Sequence, residues 1–273
     1  MLDSVHREGL LIGIVAGASL GTPPGAASGA RRPAAVALGD ALLAEFLDGG
    51  VDLHRLARRW LDWEGEAGMS LPAPVSEALA HLREFDAPAP HLAVPNVTAL
   101  AAALPAAIAG ASPRAMVSGT FHVARLLDPG ESTALCAVAL TVAASIFLEG
   151  RRDFIADVIS LLRANAAGEE MLERVRSIAR DRRAVPELPR GGSPDPVATT
   201  VWALWQAHHR VRGVDAMHEV AAAGDADPAV GAVAGGLLGA RDGLADWPRE
   251  WLESVESQLE MRRRVLERIG DGA

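Results

Sequence analysis

Apolar residues recur at intervals of three and four along most of the chain, the spacing that lines one face of an α-helix. Val36, Leu38, Leu42, Leu43, Phe46 and Leu47 form such a stripe over residues 35–48, which Gly49 and Gly50 bring to a stop. The same reading gives helices over 6–21, 51–63, 75–85, 100–109, 132–148, 154–163, 169–182, 197–211, 214–223 and 228–240. A long final helix is expected over 249–269, with Trp251, Leu252, Val255, Leu259, Val265 and Leu266 facing inward. The stretches 22–33, 86–95 and 184–196 are rich in Pro, Gly and small residues and read as connections.

Two segments carry glycine in place of a stripe. Gly13, Gly17 and Gly21 recur every four positions on the first helix, and Gly231, Gly235, Gly236 and Gly239 stud the helix over 228–240. A face without side chains lets a neighbouring backbone approach closely, so these two helices are expected to pack on each other. The architecture that follows is an all-α orthogonal helical bundle, a single domain over residues 1–273, with a cleft at the turn holding Asp225 and Asp227.

Composition supports helix over strand. The chain has 273 residues, 49% of them hydrophobic but only 4% aromatic, with no Tyr and much Ala. A net charge of −9 opposes affinity for nucleic acid or an anionic membrane surface, so neither is expected as a partner. The one cysteine, Cys136, lies in an apolar run, which excludes an intrachain disulfide and points to a small buried hydrophobe in a reducing, cytoplasmic setting. The apolar run over 133–148 falls short of the ~20 residues of a membrane span and reads as a core helix.

Few residues carry candidate chemistry. Asp227 followed by Pro228 has the form of a helix N-cap with proline in the first turn, and the same position can present a carboxylate to a ligand at the helix end. His122, in SGTFHVARL, falls in a loop or helix start and is a candidate acid or base facing a ligand, with no partner carboxylate identifiable by spacing. His208 and His209 adjoin on one helix and point about 100° apart, which disfavours a shared ion. Arg174–Arg183 and the triplet Arg262–Arg264 alternate with acidic residues and read as solvated faces.

HREGLLIGIVAGASLGTP, His6–Pro23, resembles the opening of the ADP-ribosylglycohydrolase family, a Gly-rich helix ending in a GDALGAP-like turn. GDADPAVGAVAGGLLGARDGLADWPREWLESV, Gly224–Val255, is similar to the family's GDTDTTAAIAGALAGALYG segment and the IPEEWL after it. Gly39–Trp60 and Gly192–Gln206 resemble intervening helices. The resemblance implies the family's helical fold and a glycosidic-bond hydrolase ancestry. It also implies two Mg²⁺ or Mn²⁺ ions held between a TDDT motif and a DTDT motif, since hard cations take oxygen ligands.

At those positions the chain departs from the pattern. The TDDT place falls near Arg32–Ala35, Arg-Pro-Ala-Ala, and only Asp40 stands nearby; Asp225 and Asp227 remain of the second motif. By the resemblance, Asp225 and Asp227 are the residues for metal and catalysis, with Asp40, Asn96 and Asp128 as ligand contacts. No cofactor is assigned; Mg²⁺ is the ion implied. The expectation is a relative that has left the two-metal reaction and is repurposed for binding a small molecule or nucleotide-like ligand, or for altered chemistry. The alternatives are a divergent hydrolase of an N-glycosidic bond working through Asp225 and Asp227, and a non-enzymatic helical scaffold.

Overall fold

The computed structural model of the chain describes residues 4–22, 32–67, 71–109, 112–191, 194–224 and 226–271. In chain order the helices are α1 (Ser4–Leu20), α2 (Ala34–Leu47), α3 (Leu53–Ala67), α4 (Ala73–Phe85) and α5 (Thr98–Ala103). They continue with α6 (Ala106–Ala109), α7 (Pro113–Leu127), α8 (Glu131–Leu148), α9 (Ile155–Ala164) and α10 (Glu169–Arg180). The last are α11 (Pro196–His209), α12 (Gly213–Ala223), α13 (Pro228–Asp242), α14 (Arg249–Glu253) and α15 (Glu260–Asp271). The described residues contain no strand; Arg190 and Ala226 form an isolated antiparallel bridge.

The centre is the antiparallel pair α1 and α13, more intimately packed than any other two elements. Their glycines face one another in register. A Cβ on Gly13 would lie 2.2 Å from the Gly235 carbonyl oxygen, one on Gly17 2.0 Å from that of Gly231, and one on Gly9 2.0 Å from that of Gly239. The relation is reciprocal, since a Cβ on Gly235 would lie 2.1 Å from the Gly13 oxygen. No L side chain fits such a gap, and the backbones therefore touch along the expected strip. At its end Gly21 meets the backbone of Asp227 and Pro228.

Around this pair α2, α5, α8 and α11 supply the apolar core, with Trp60, Trp202, Phe147 and Phe154 wholly buried. By length and composition α8 could cross a membrane, yet most of it is covered by the rest of the fold. Cys136, within it, is buried, and desolvation pushes its thiol up to about 12, so it packs as a hydrophobe. Arg241, 3% exposed, donates to the carbonyls of Ala207 at 2.7 Å and Arg210 at 3.0 Å, capping the C-terminus of α11 with a buried cation.

Three expectations from the sequence need correction. The helix over 100–109 is two pieces, α5 and α6, because Pro105 lacks the amide that would continue the ladder. The stretch carrying His122 is not a loop: Pro113–Leu127 is helix, its first turn capped by the Ser112 hydroxyl accepting from the Ala115 amide at 3.2 Å. The long final helix is interrupted after α14 by a 3₁₀ turn, Glu256–Gln258. Ser254 there bonds its hydroxyl back to the Trp251 carbonyl at 2.8 Å, the local competition that shortens helices. The turn lets Val255 and Leu259 both enter the core.

Candidate functional site

Asp40 sits on the apolar face of α2, one turn after Val36 and one before Leu43, and is 4% exposed. Such a carboxylate needs a partner, and it has two. Oδ1 lies 2.8 Å from Nε of Arg262 on α15, and Oδ2 lies 3.0 Å from Nη1 of Arg32, just before α2. Arg262 is 0% exposed, and its Nη1 donates to the Leu11 carbonyl of α1 at 2.6 Å. Burial pushes the Asp40 carboxyl up from its ordinary value, while Arg262 and Arg32 pull it down. Desolvation lowers Arg262 in turn, opposed by Asp40. The reading of Arg262–Arg264 as a solvated face fails at its first member, which ties α15 to α1 and α2.

The sequence held a signal for this pairing. Arg262 lies three residues after Leu259, three before Val265 and seven before Ile269, within the apolar stripe of its helix. A lone cation on one stripe and a lone anion on another are candidates for each other.

Asn96 and Asp128 are brought together, both buried. The Asn96 amide donates to Asp128 Oδ2 at 2.7 Å and the Thr133 hydroxyl to the same oxygen at 2.9 Å, while Oδ1 accepts from the Gly130 amide at 2.7 Å. Asn96 Nδ2 donates to the Leu127 carbonyl at 3.1 Å, and its Oδ1 accepts from the Thr98 amide at 3.1 Å. The network clamps the start of α5 to the α7–α8 turn and leaves both carboxylate oxygens engaged.

Asp227, half-buried, is the N-cap of α13: its Oδ1 accepts from the Ala229 amide at 2.7 Å, with Pro228 in the first turn. Burial raises its pKa, the Ala229 hydrogen bond opposing. Asp225 lies outside the described residues. His122, on the exposed side of α7, has Nδ1 2.7 Å from the Ser118 carbonyl and borders a cleft of about 590 Å³ floored by Val117, Phe121 and Leu161. None of its hydrogen bonds runs to Asp40, Asp128 or Asp227.

Among the described residues no three His, Cys, Asp or Glu side chains gather as metal ligands. Asp40 faces two guanidinium groups, a surrounding that repels a divalent cation. The described donor set does not fit a two-ion centre.

No curated protein matches the chain. Among solved structures, a chain titled "ADP-ribosylglycohydrolase-related protein complex" superposes with a TM-score of 0.76 at 21% identity, covering 96% of each chain, which establishes the shared fold. The model of the ADP-ribosylglycohydrolase family matches residues 8–272. With the glycine-paired helices and the capped turn before α13 in place, this match over nearly the full length makes the chain a member of the ADP-ribosylglycohydrolase family.

Proposed function

We propose that this chain uses the family's helical fold to bind a small, nucleotide-like ligand in the cytoplasm without the two-metal hydrolytic reaction. The observation that carries the reading is the state of Asp40, held between Arg262 and Arg32 where a metal ligand would have to be free. Asp128 supports it, with both oxygens taken by Asn96, Thr133 and Gly130. Release of ADP-ribose from ADP-ribosylated protein tests it, run in magnesium and in EDTA. The reading expects no magnesium-dependent release, and turnover that appears on adding Mg²⁺ would overturn it.

A second reading, divergent hydrolysis of an N-glycosidic bond, is favoured by one feature. Asp227 is half-buried with its pKa raised by desolvation, as suits a general acid. Asp227→Asn separates the two: loss of a measurable activity supports the hydrolase, and no activity in either form supports the binding role.

A further inference from the structure

Helices α7 and α9 each pack on α8 and scarcely on each other, which leaves the cleft of about 590 Å³ beside His122 between them. That volume falls in the range of sites for one small ligand, roughly 300–1,000 Å³. One face of α7 lines it, with Arg114, Val117, Ser118, Phe121 and His122 at the three- and four-residue spacing that shares a helix side. Val117 and Phe121, both half-buried, and Leu161 of α9 make an apolar floor.

The polar groups left open around this floor are sorted by end. At the His122 end they are acceptors. The Ser118 carbonyl takes the proton of His122 Nδ1 at 2.7 Å, so the neutral ring offers Nε2 as an acceptor. Asn165 spends Nδ2 on the Leu161 carbonyl at 2.9 Å and keeps Oδ1. Glu131 opens α8 after the short turn that ends α7, and so stands toward His122; the adjoining cleft joins it with Ala166, which puts Asn165 at the same end. Arg114, which can only donate, lies eight residues from His122, or about 12 Å of helix rise. Among the described residues neither Glu131 nor Arg114 has an ion-pair partner. Water satisfies any one of these groups alone, but an apolar floor with acceptors at one end and a cation at the other complements a molecule that carries both counterparts.

We infer that the α7–α9 cleft binds a small bipolar organic molecule, its protonated amine against Glu131, Asn165 Oδ1 and His122 Nε2, its aromatic or branched body on Val117, Phe121 and Leu161, and its carboxylate toward Arg114. The opposed end charges fix the direction in which the ligand lies. The cleft shares no residue with Asp40, Asp128 or Asp227, so this site stands or falls apart from the nucleotide reading.

The test is an amide chemical-shift titration of the full chain with para-(aminomethyl)benzoate, against benzylamine and benzoate, which each carry one of its charged ends. Saturable shifts confined to α7, the start of α8 and the end of α9 are expected. The bipolar compound is expected to bind about threefold or more tighter than either one-ended compound, the gain of one further partly exposed ion pair. Glu131→Gln is expected to bring it down to the affinity of benzoate, and Arg114→Gln to that of benzylamine; both positions are exposed. Ser118→Trp, also at an exposed position, fills the cleft and is expected to abolish the shifts while keeping the Tm. No saturable shifts, shifts elsewhere in the chain, or unchanged affinity in both Glu131→Gln and Arg114→Gln would overturn the inference. Sedimentation of the same samples covers the other occupant: a dimer that Ser118→Trp disperses would assign the face to a second copy of the chain and overturn it equally.

Discussion

Replacing Gly13 by alanine puts a methyl group into the α1–α13 seam. The new Cβ would lie 2.2 Å from the Gly235 carbonyl oxygen and 2.8 Å from its carbon, both backbone atoms that no rotamer change can move. Ordinary contact is near 3.5 Å, so the helices must separate by roughly an ångström or tilt, loosening the contacts at Gly9–Gly239 and Gly17–Gly231 as well. Overpacking of this kind costs about 1–3 kcal/mol and more where backbone must shift, and the greater helix propensity of alanine returns only about 1 kcal/mol. The net expectation is a loss of about 2 kcal/mol, at the upper part of that range because the obstruction is backbone. Gly119 on α7 provides the control: nothing lies within 4 Å of its added Cβ, so Gly119→Ala is expected to gain about 0.5–1 kcal/mol from propensity. Urea unfolding followed by circular dichroism reads both as shifts in midpoint at constant slope. A Gly13→Ala protein as stable as the parent would refute the close-packed seam.

Other predictions follow from single features. Arg262→Ala leaves Asp40 buried with only Arg32 and is expected to destabilise by about 3–5 kcal/mol, whereas the double variant Asp40→Leu with Arg262→Met recovers most of the loss in the same urea experiment. No recovery would show that the pair is not the unit. Ala166 holds a φ of 57° at the end of α9, where glycine is unstrained, so Ala166→Gly is expected to raise stability by about 0.5–1 kcal/mol, and a loss would contradict it. Glu45 is buried against burial's upward push by hydrogen bonds from Arg55 and Arg59, at 2.7 and 2.6 Å, that hold its pKa below the ordinary value of 4.5. A depressed carboxylate stabilises above its unfolded pKa and loses that contribution as pH falls through the folded one, so Glu45→Gln is expected to weaken the fold at pH 7 and flatten its acid limb. Asp40 and Asp227 have the opposite sign, their raised values favouring the fold at low pH and losing that contribution as pH rises through them.

Much of the fold was legible because its devices are local. Glycine every fourth residue, Asp before Pro at Asp227, and apolar spacing on α2, α8 and α11 each state an element and a face. What escaped depended on contacts between distant segments. The break in the final helix serves the burial of Val255 and Leu259 together, and its one local mark is the Ser254 hydroxyl bonding back to the Trp251 carbonyl. The Asp40–Arg262 pair joins residues more than two hundred positions apart, and Arg262 hid within an arginine triplet whose other members, Arg263 and Arg264, are exposed. Asn96 and Asp128 were marked by resemblance, but only the structure shows that their polar atoms hold the chain to itself.

The proposed function has this family member bind its ligand without a pair of metal ions. Its most direct test is calorimetric titration of the metal-stripped protein with ADP-ribose, before and after addition of magnesium. Binding of ADP-ribose in EDTA, unchanged by magnesium, is expected, with no stoichiometric uptake of Mg²⁺. Stoichiometric Mg²⁺ binding that tightens ADP-ribose would contradict it and restore the two-metal site, with Asp225 and Asp227 as the first residues to replace.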